Sequence, residues 1–281
     1  MHGKMCVVTG ANSGIGKATA LELAKRGALV VMVCRDRRRG EQANSEIIAK
    51  SGNKSVDLML ANFASQNAIH KLARAVKSKY ARLDVLVNNA GIIMDKLRLT
   101  EDGIETTFAV NHLGYFLLTN LLLDLLKTSA PSRIVNVASD AHRGNKIDFD
   151  DLNCEKRFKP MEVYGRSKLA NIMFTYALAR RLEGSGVTAN CLHPGVVATN
   201  FGHTASKAFH LMFKAAKPFL LSSARGAETQ IYLATSEKVE TISGKYIVKK
   251  QAVRSSEISY DETAQKRLWE VSERLVKIAF E

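Results

Sequence analysis

Short apolar runs, rich in β-branched residues, alternate along this chain with longer stretches whose apolar positions recur at helical spacing. Met5–Thr9 (MCVVT), Leu29–Cys34 (LVVMVC), Val56–Leu60, Val85–Asn88, Arg133–Val137, Thr188–Leu192 and Lys245–Val248 read as strands. Gly14–Arg26, a polar stretch ending at Lys50, Gln66–Lys79, roughly 104–128, Val163–Leu182, Ala224–Thr235 and Asp261–Ile278 read as helices. Ser65 and Asp261 stand where N-caps belong, and Ser223 precedes the helix that starts at Ala224. Runs such as LVVMVC and RIVNV lack polar alternation, as a sheet covered on both faces requires. Strand–helix alternation implies right-handed crossovers and a parallel sheet. With no linker and no internal repeat, the pattern predicts an α/β fold. It is a single doubly wound Rossmann-type domain over residues 1–281, with a mostly parallel seven-stranded sheet. The stretch 194–223 breaks the rhythm: it is a long insertion after a strand end, where such folds bind ligands, and it is expected to bind substrate.

Composition narrows the classes. A chain of 281 residues, 46% hydrophobic, can bury one large core, and nothing in it is of low complexity. The net charge of +14 suits an anionic partner: nucleic acid, an acidic membrane surface or a phosphorylated cofactor. The densest basic run, Arg35–Arg39, is broken by Asp36 and has no interleaved aromatics, so it reads as a solvated face and no nucleic-acid partner is expected. Cys6, Cys34, Cys154 and Cys191 lack metal-ligand spacing; reduced, buried thiols in a cytosol-facing protein, with no metal, are expected. The longest apolar stretch, Tyr115–Leu126, contains Thr119, Asn120 and Asp124 and is too short to span a bilayer.

Three features carry chemistry. TGANSGIG, Thr9–Gly16, sits at the first strand-to-helix turn, where Gly10, Gly14 and Gly16 let the backbone approach a pyrophosphate at a helix N-terminus. An ordinary tight turn is the plain alternative. The second strand ends in Cys34 and Arg35, where an NAD site usually has a carboxylate for the ribose 2′-OH. A guanidinium there suits a 2′-phosphate and favours NADP, with Asp36 read as a loop or helix-capping residue. In YGRSK, Tyr164 and Lys168 lie four apart on one helix face, where an ammonium beside a phenol favours the phenolate. Ser139 closes the fifth strand, as an oxyanion donor or as a turn serine. Asn111, inside an apolar helical stretch, marks a kink or holds a water that relays protons to Lys168. His112 and His142 read as structural histidines and Trp269 as a packing anchor.

These residues resemble the short-chain dehydrogenase/reductases, and within them the retinol dehydrogenase-like branch, over nearly the whole chain. CRD at Cys34, FAVNHLGYFLLT, RIVNVASDAH, SKLAN, LHPGVVAT, SGKY and RLWEVSE carry the resemblance to the branch. The resemblance implies a catalytic tetrad of Asn111, Ser139, Tyr164 and Lys168. It implies a cofactor site of Gly10, Asn12, Ser13, Gly14, Ile15, Gly16, Arg35, Asn62, Asn89, Ala90 and Gly91, with Tyr164 and Lys168. Pro194, Gly195, Val197 and Thr199 would close on the nicotinamide. The family usually has an aspartate where this chain has Asn62, whose amide oxygen still accepts. Many relatives begin with a membrane-anchoring segment; here the sequence opens almost directly on a strand, so a soluble protein or a trimmed one is expected. The expectation is a cytoplasmic NADP(H)-dependent oxidoreductase of aldehydes, ketones or alcohols, with an apolar substrate such as retinal or retinol. Phe201, Phe209, Leu211, Met212, Phe213, Phe219 and Leu220 either line an apolar tunnel or pack on the domain's own core, while Lys207, Lys214 and Lys217 face solvent or lipid headgroups. A non-catalytic NADP-binding scaffold on the same fold is the rival. Homodimerisation and peripheral membrane contact stay open.

Overall fold

A computed structural model describes residues 1–197 and 220–278. Its sheet is eight-stranded among the described residues, in the order β3-β2-β1-β4-β5-β6-β7-β8. The strands are β1 Met5–Thr9, β2 Leu29–Cys34, β3 Val56–Leu60, β4 Val85–Asn88, β5 Ser132–Val137, β6 Val187–His193, β7 Tyr246–Val248 and β8 Gln251–Val253. Neighbours from β3 to β7 run parallel, and β8 returns antiparallel to β7. The order reverses between β1 and β4, which opens a crevice at their carboxyl ends. The sheet thus has one strand more than the seven expected. The extra one is a three-residue edge strand, joined to β7 by a turn in which Lys249 (φ 49°) and Lys250 (φ 66°) both take left-handed backbone.

Alternate strand residues feed two cores, which explains the unbroken apolar runs. Val7, Val31, Leu86 and Ile134 face one side, Cys6, Val8, Val30, Met32 and Val87 the other, and all are buried. The first face is covered by α3 (Gln66–Lys79), α5 (Gly114–Leu121), α7 (Pro160–Arg181) and α9 (Glu262–Val276). The second is covered by α1 (Gly14–Lys25), α2 (Arg37–Ser51) and α8 (Ser223–Thr235). Sequence-placed caps hold: Ser65 accepts from the Ala68 amide and Asp261 from the Ala264 amide. The cap of α8 is Ser222, one residue before Ser223. No helix among the described residues is long and apolar enough to cross a membrane.

The helix expected over 104–128 is in fact broken. A short α4 (Thr106–Phe108) runs into one π-helical turn, Ala109–Leu113, then α5 and α6 (Leu123–Thr128). The Gly114 amide reaches back to the Ala109 carbonyl across the wider turn. Glu105, fully buried, starts this segment by accepting from the Thr107 and Phe108 amides. The bulge lies where Asn111 sits.

Trp269 on α9 closes the first core. Its ring meets Phe116 edge-on at 5.0 Å and Phe174 at 5.7 Å, with the Arg181 guanidinium 4.1 Å above it. Trp269→Ala is expected to lower the unfolding free energy by about 3–5 kcal/mol, read as a lower denaturant midpoint at unchanged slope; a loss under about 1 kcal/mol means that α9 is not integral to this core.

Candidate active site

The glycine turn is built for close approach. Gly10 (φ 67°) and Gly14 (φ 57°) use backbone that side chains avoid. A Cβ on Gly10 would lie 2.9 Å from the Ala90 Cα, and one on Gly16 would overlap the Asn89 amide and the Gly10 carbonyl. The turns after β1 and β4 therefore pack backbone to backbone. Thr9 joins them: its hydroxyl accepts from the Asn89 and Ala90 amides at 2.8 and 3.0 Å. Asn89 returns a bond to the Thr9 carbonyl at 2.8 Å and accepts from Gln230 on α8 at 3.3 Å. Ser13 precedes α1 without making a side-chain cap bond, whereas Asp36, Ser65, Ser222 and Asp261 cap their own helices. The first amides of α1 thus keep their donors for an anion. Asn12 and Ile15 are half-buried in the same turn.

Along this edge, β2 delivers an exposed Arg35. Asp36 is engaged as the N-cap of α2, accepting from the Arg39 amide at 2.8 Å, as its sequence position suggested. Asn62 follows β3, and its amide oxygen accepts from the Ala64 amide at 3.2 Å, so one of its lone pairs serves the turn.

α7 carries Tyr164, Lys168, Asn171 and Thr175 as a polar stripe facing the carboxyl end of β5. Pro160 starts the helix. The Lys168 ammonium, 2% exposed, donates to the Val137 carbonyl at 2.9 Å and lies 5.6 Å from the ring centres of both Tyr164 and Tyr115. Ser139, two residues past β5, stands near enough to the Tyr164 hydroxyl to pull its pKa down. Asn111 is tied into the π turn: its oxygen accepts from the Ile92 amide at 2.8 Å, and its nitrogen donates to the Ile92 carbonyl and the Ser167 hydroxyl. Ser167 donates in turn to the Tyr164 carbonyl. Gly91 completes the group, because a Cβ there would lie 3.4 Å from the Asn111 oxygen and 3.5 Å from the Lys168 nitrogen. Asn111, Ser139, Tyr164, Lys168 and Gly91 therefore converge at the end of β4 and β5, beside the glycine turn.

Burial dominates the electrostatics. It pushes the Tyr164 phenol up to about 12, against a smaller downward pull from Ser139, and pushes the Lys168 ammonium down to about 7. The expectation that Lys168 acidifies Tyr164 is thus not met within the protein alone. Each group favours its neutral form. Tyr115 is fully buried with an unpartnered hydroxyl, and its phenol too is raised.

His193 ends β6, and Pro194 and Gly195 follow it. Gly195 (φ 86°) passes against Leu221, and Val197 pairs with Leu221 in an isolated bridge. The chain thus leaves and re-enters the described fold at one point, beside Ile15 and Gly226, where a Cβ on Gly226 would touch both Val197 and Ile15. Thr199, Phe201, Lys207, Phe209, Leu211, Met212, Phe213, Lys214, Lys217 and Phe219 lie outside the described residues; Leu220 is half-buried.

Several residues that serve the site were not singled out from sequence. They are Thr9, Gln230, Ser167 and Gly165. Gly165 lets α7 approach the turn after Ser139, since a Cβ there would clash with the Ala141 carbonyl and Asn145. A threonine at a strand end is a weak signal, and the glycine inside YGRSK is the one visible clue.

The buried Lys168 gives a signed prediction. Its folded pKa lies below that of the unfolded chain, so its contribution is complete only above about 10.4 and is lost as pH falls through about 7. Tyr164 has the opposite sign, with stability present below about 10 and lost as pH rises toward about 12. Denaturant unfolding between pH 7 and 9.5 should show wild type gaining stability relative to Lys168→Met as pH rises. Parallel curves would mean that the ammonium is not desolvated.

The sequence profile of the family described as short chain dehydrogenase matches residues 4–209. Retinol dehydrogenase 14 from Mus musculus is 45% identical over 99% of this chain and 87% of its own length. Retinol dehydrogenase 12 from Homo sapiens is 43% identical over 100% of this chain and 89% of its own. A solved structure of an uncharacterized protein from Mycobacterium paratuberculosis superposes with a TM-score of 0.81 at 33% identity, covering 100% of this chain and 96% of that one. The 3-ketoacyl-(acyl-carrier-protein) reductase from Brucella melitensis, solved with NADH, gives 0.68 at 25% identity, over 88% and 97%. With these matches added to a glycine turn whose Gly10 and Gly16 admit no side chain and the convergence of Asn111, Ser139, Tyr164 and Lys168, the chain belongs to the short-chain dehydrogenase/reductase family, in its retinol dehydrogenase-like branch, and is a carbonyl/alcohol oxidoreductase that works with a nicotinamide cofactor.

Proposed function

We propose that the protein is an NADP(H)-dependent reductase of an apolar aldehyde or ketone, of which retinal is one, and oxidises the corresponding alcohol in reverse. The observation that carries the reading is the contact of Ser139 with Tyr164 beside the Lys168 ammonium, at the mouth of the glycine turn. Gly10, Asn12, Ser13, Gly14, Ile15 and Gly16 would hold the pyrophosphate side, Asn89, Ala90, Gly91 and Asn62 the adenosine side, and Tyr164, Lys168, Pro194, Gly195, Val197 and Thr199 the nicotinamide side. When bound, the cofactor supplies or accepts a hydride.

The residues do the rest. Ser139 and Tyr164 donate to the substrate oxygen, which gains negative charge as its carbon is reduced. A phenol held at about 12 stays protonated at neutral pH and is ready to give its proton to that oxygen. Lys168, buried against Val137, offers its remaining N–H groups to the ribose and stabilises the phenolate left behind. Asn111 holds the π turn and the Ile92 backbone at the inner wall. NADP is favoured over NAD by Arg35 at the end of β2, together with the engagement of Asp36 as a helix cap. The pairing of Val197 with Leu221 supports the stretch 194–223 as a substrate-binding insertion rooted at the nicotinamide end.

Tyr164→Phe should abolish turnover of a panel of apolar aldehydes while NADPH affinity stays within a few-fold; turnover like wild type ends this assignment. Arg35→Ser should raise the KM for NADPH at least about tenfold and leave that for NADH nearly unchanged. Equal use of both cofactors by wild type would overturn the NADP preference.

A further inference from the structure

The turn that aims Ser139 is held from a side that the reaction does not touch. His142 is fully buried, and both of its ring nitrogens are committed. Nδ1 lies 2.7 Å from the Ser139 carbonyl oxygen, and Nε2 lies 3.0 Å from the Ser256 amide. A carbonyl only accepts and an amide N–H only donates, so the ring carries its proton on Nδ1 and is neutral. Burial favours the same state, holding the imidazole below its ordinary pKa.

The bonds at Ser139 leave it little freedom. Its hydroxyl oxygen accepts from the Ala141 amide at 3.2 Å. Its carbonyl receives the His142 backbone amide at 3.1 Å as well as the His142 ring. What remains is the hydroxyl hydrogen and one lone pair, on the side of Tyr164. The anchor on the other side of the ring is itself fixed. Ser255 bonds with the Ser259 hydroxyl at 2.6 Å and the Tyr176 hydroxyl at 2.7 Å, so the Ser256 amide is presented by a braced segment. Tyr246 packs edge-on against the His142 ring at 5.2 Å and donates its hydroxyl to Asp140 at 2.9 Å. The Asp140 amide points to the His193 ring at 3.3 Å, which brings in the end of β6.

We propose that His142 is a positioning residue for the reaction: its one permitted tautomer clamps the Ser139 carbonyl, and so the aim of the Ser139 hydroxyl, to the braced segment at Ser256. This rests on the reductase reading above. The consequence is that the two nitrogens have separable jobs. Nδ1 sets the serine, and Nε2 only anchors the ring.

Three variants separate them. His142→Asn keeps an amide nitrogen near the position of Nδ1, His142→Gln keeps an amide oxygen near that of Nε2, and His142→Ala keeps neither. With the folded fraction of each set by its melting curve, Asn is expected to retain kcat within about threefold. Gln and Ala should lose at least about tenfold in kcat and in kcat/KM together, with NADPH affinity unchanged. Amide hydrogen exchange over residues 139–143 should quicken in Gln and Ala and not in Asn. That arm needs no turnover, so a wild type without carbonyl reduction would sink the reductase reading and still leave the clamp decided. Activity that simply follows melting temperature, with Asn losing as much as Ala, or a Gln variant turning over like wild type, would overturn the proposal.

Discussion

A single buried ammonium sets the terms for this site. Lys168 is withdrawn from water with one carbonyl, that of Val137, as its hydrogen-bond partner and the faces of Tyr164 and Tyr115 beside it. Desolvating a cation is costly, and one carbonyl with two ring quadrupoles offsets only part of the cost. The lowered pKa, about 7, measures the remainder. Such a group is held in reserve, because any anion or polar hydroxyl brought to it gains more than it would from a solvated lysine. The nearest described residues offer it no further bond. Gly91 contributes no side chain beside the ammonium, and the Asn111 side chain is tied to Ile92 and Ser167 rather than to the lysine.

Holding Lys168 in place requires the strand ends to be fixed by something other than the sheet's own ladder, which stops at Thr9, Asn88 and Val137. Buried polar side chains supply it. Thr9 and Asn89 lock the turns after β1 and β4, and Gln230 carries the lock to α8. Asn88 bonds with Asn136, and Asn136 with Thr175 on α7, so the helix that bears Tyr164 and Lys168 is registered against two strands. Each of these groups would be a liability in an apolar core if left alone; linked in chains they fix one arrangement, with the Asn88 amide oxygen alone in the chain left without a partner.

Most of the fold was legible because its signals are local. Short apolar runs, interrupted in β3 by Asp57, gave β1, β2, β3 and β4 with their observed bounds, and the caps Ser65 and Asp261 are side chains acting on their own helices. β8 was not legible: its turn is Lys249-Lys250, without the glycine or asparagine that normally announces left-handed backbone, and the strand is three residues long. The π turn was not legible either, since an apolar stretch reads the same whether its hydrogen bonds span four residues or five. At the site, the residues singled out lie together in the structure, but the net state of Tyr164 was not legible, because burial outweighs the pull of Lys168. Spacing puts two side chains on one face, whereas pKa depends on how deeply that face is buried, which only the packed structure defines.

The balance between the two groups can be weighed. Ionising a phenol of pKa about 12 at pH 7 costs about 7 kcal/mol. A full positive charge on Lys168, 5.6 Å from the ring centre, returns about 3 kcal/mol at an effective dielectric constant of about 20. The lysine alone therefore supplies less than half of what alcohol oxidation would demand. A second cation must contribute the remainder in that direction, since the pull of Ser139 is already contained in the value of about 12. In the reducing direction nothing need be supplied, because the proton is already on the phenol. On the proposed reading, the protein's own contacts prepare Tyr164 as a proton donor. Reversal would then depend on positive charge arriving with an oxidised cofactor, which would tie the site's acid–base state to the redox state of what it binds.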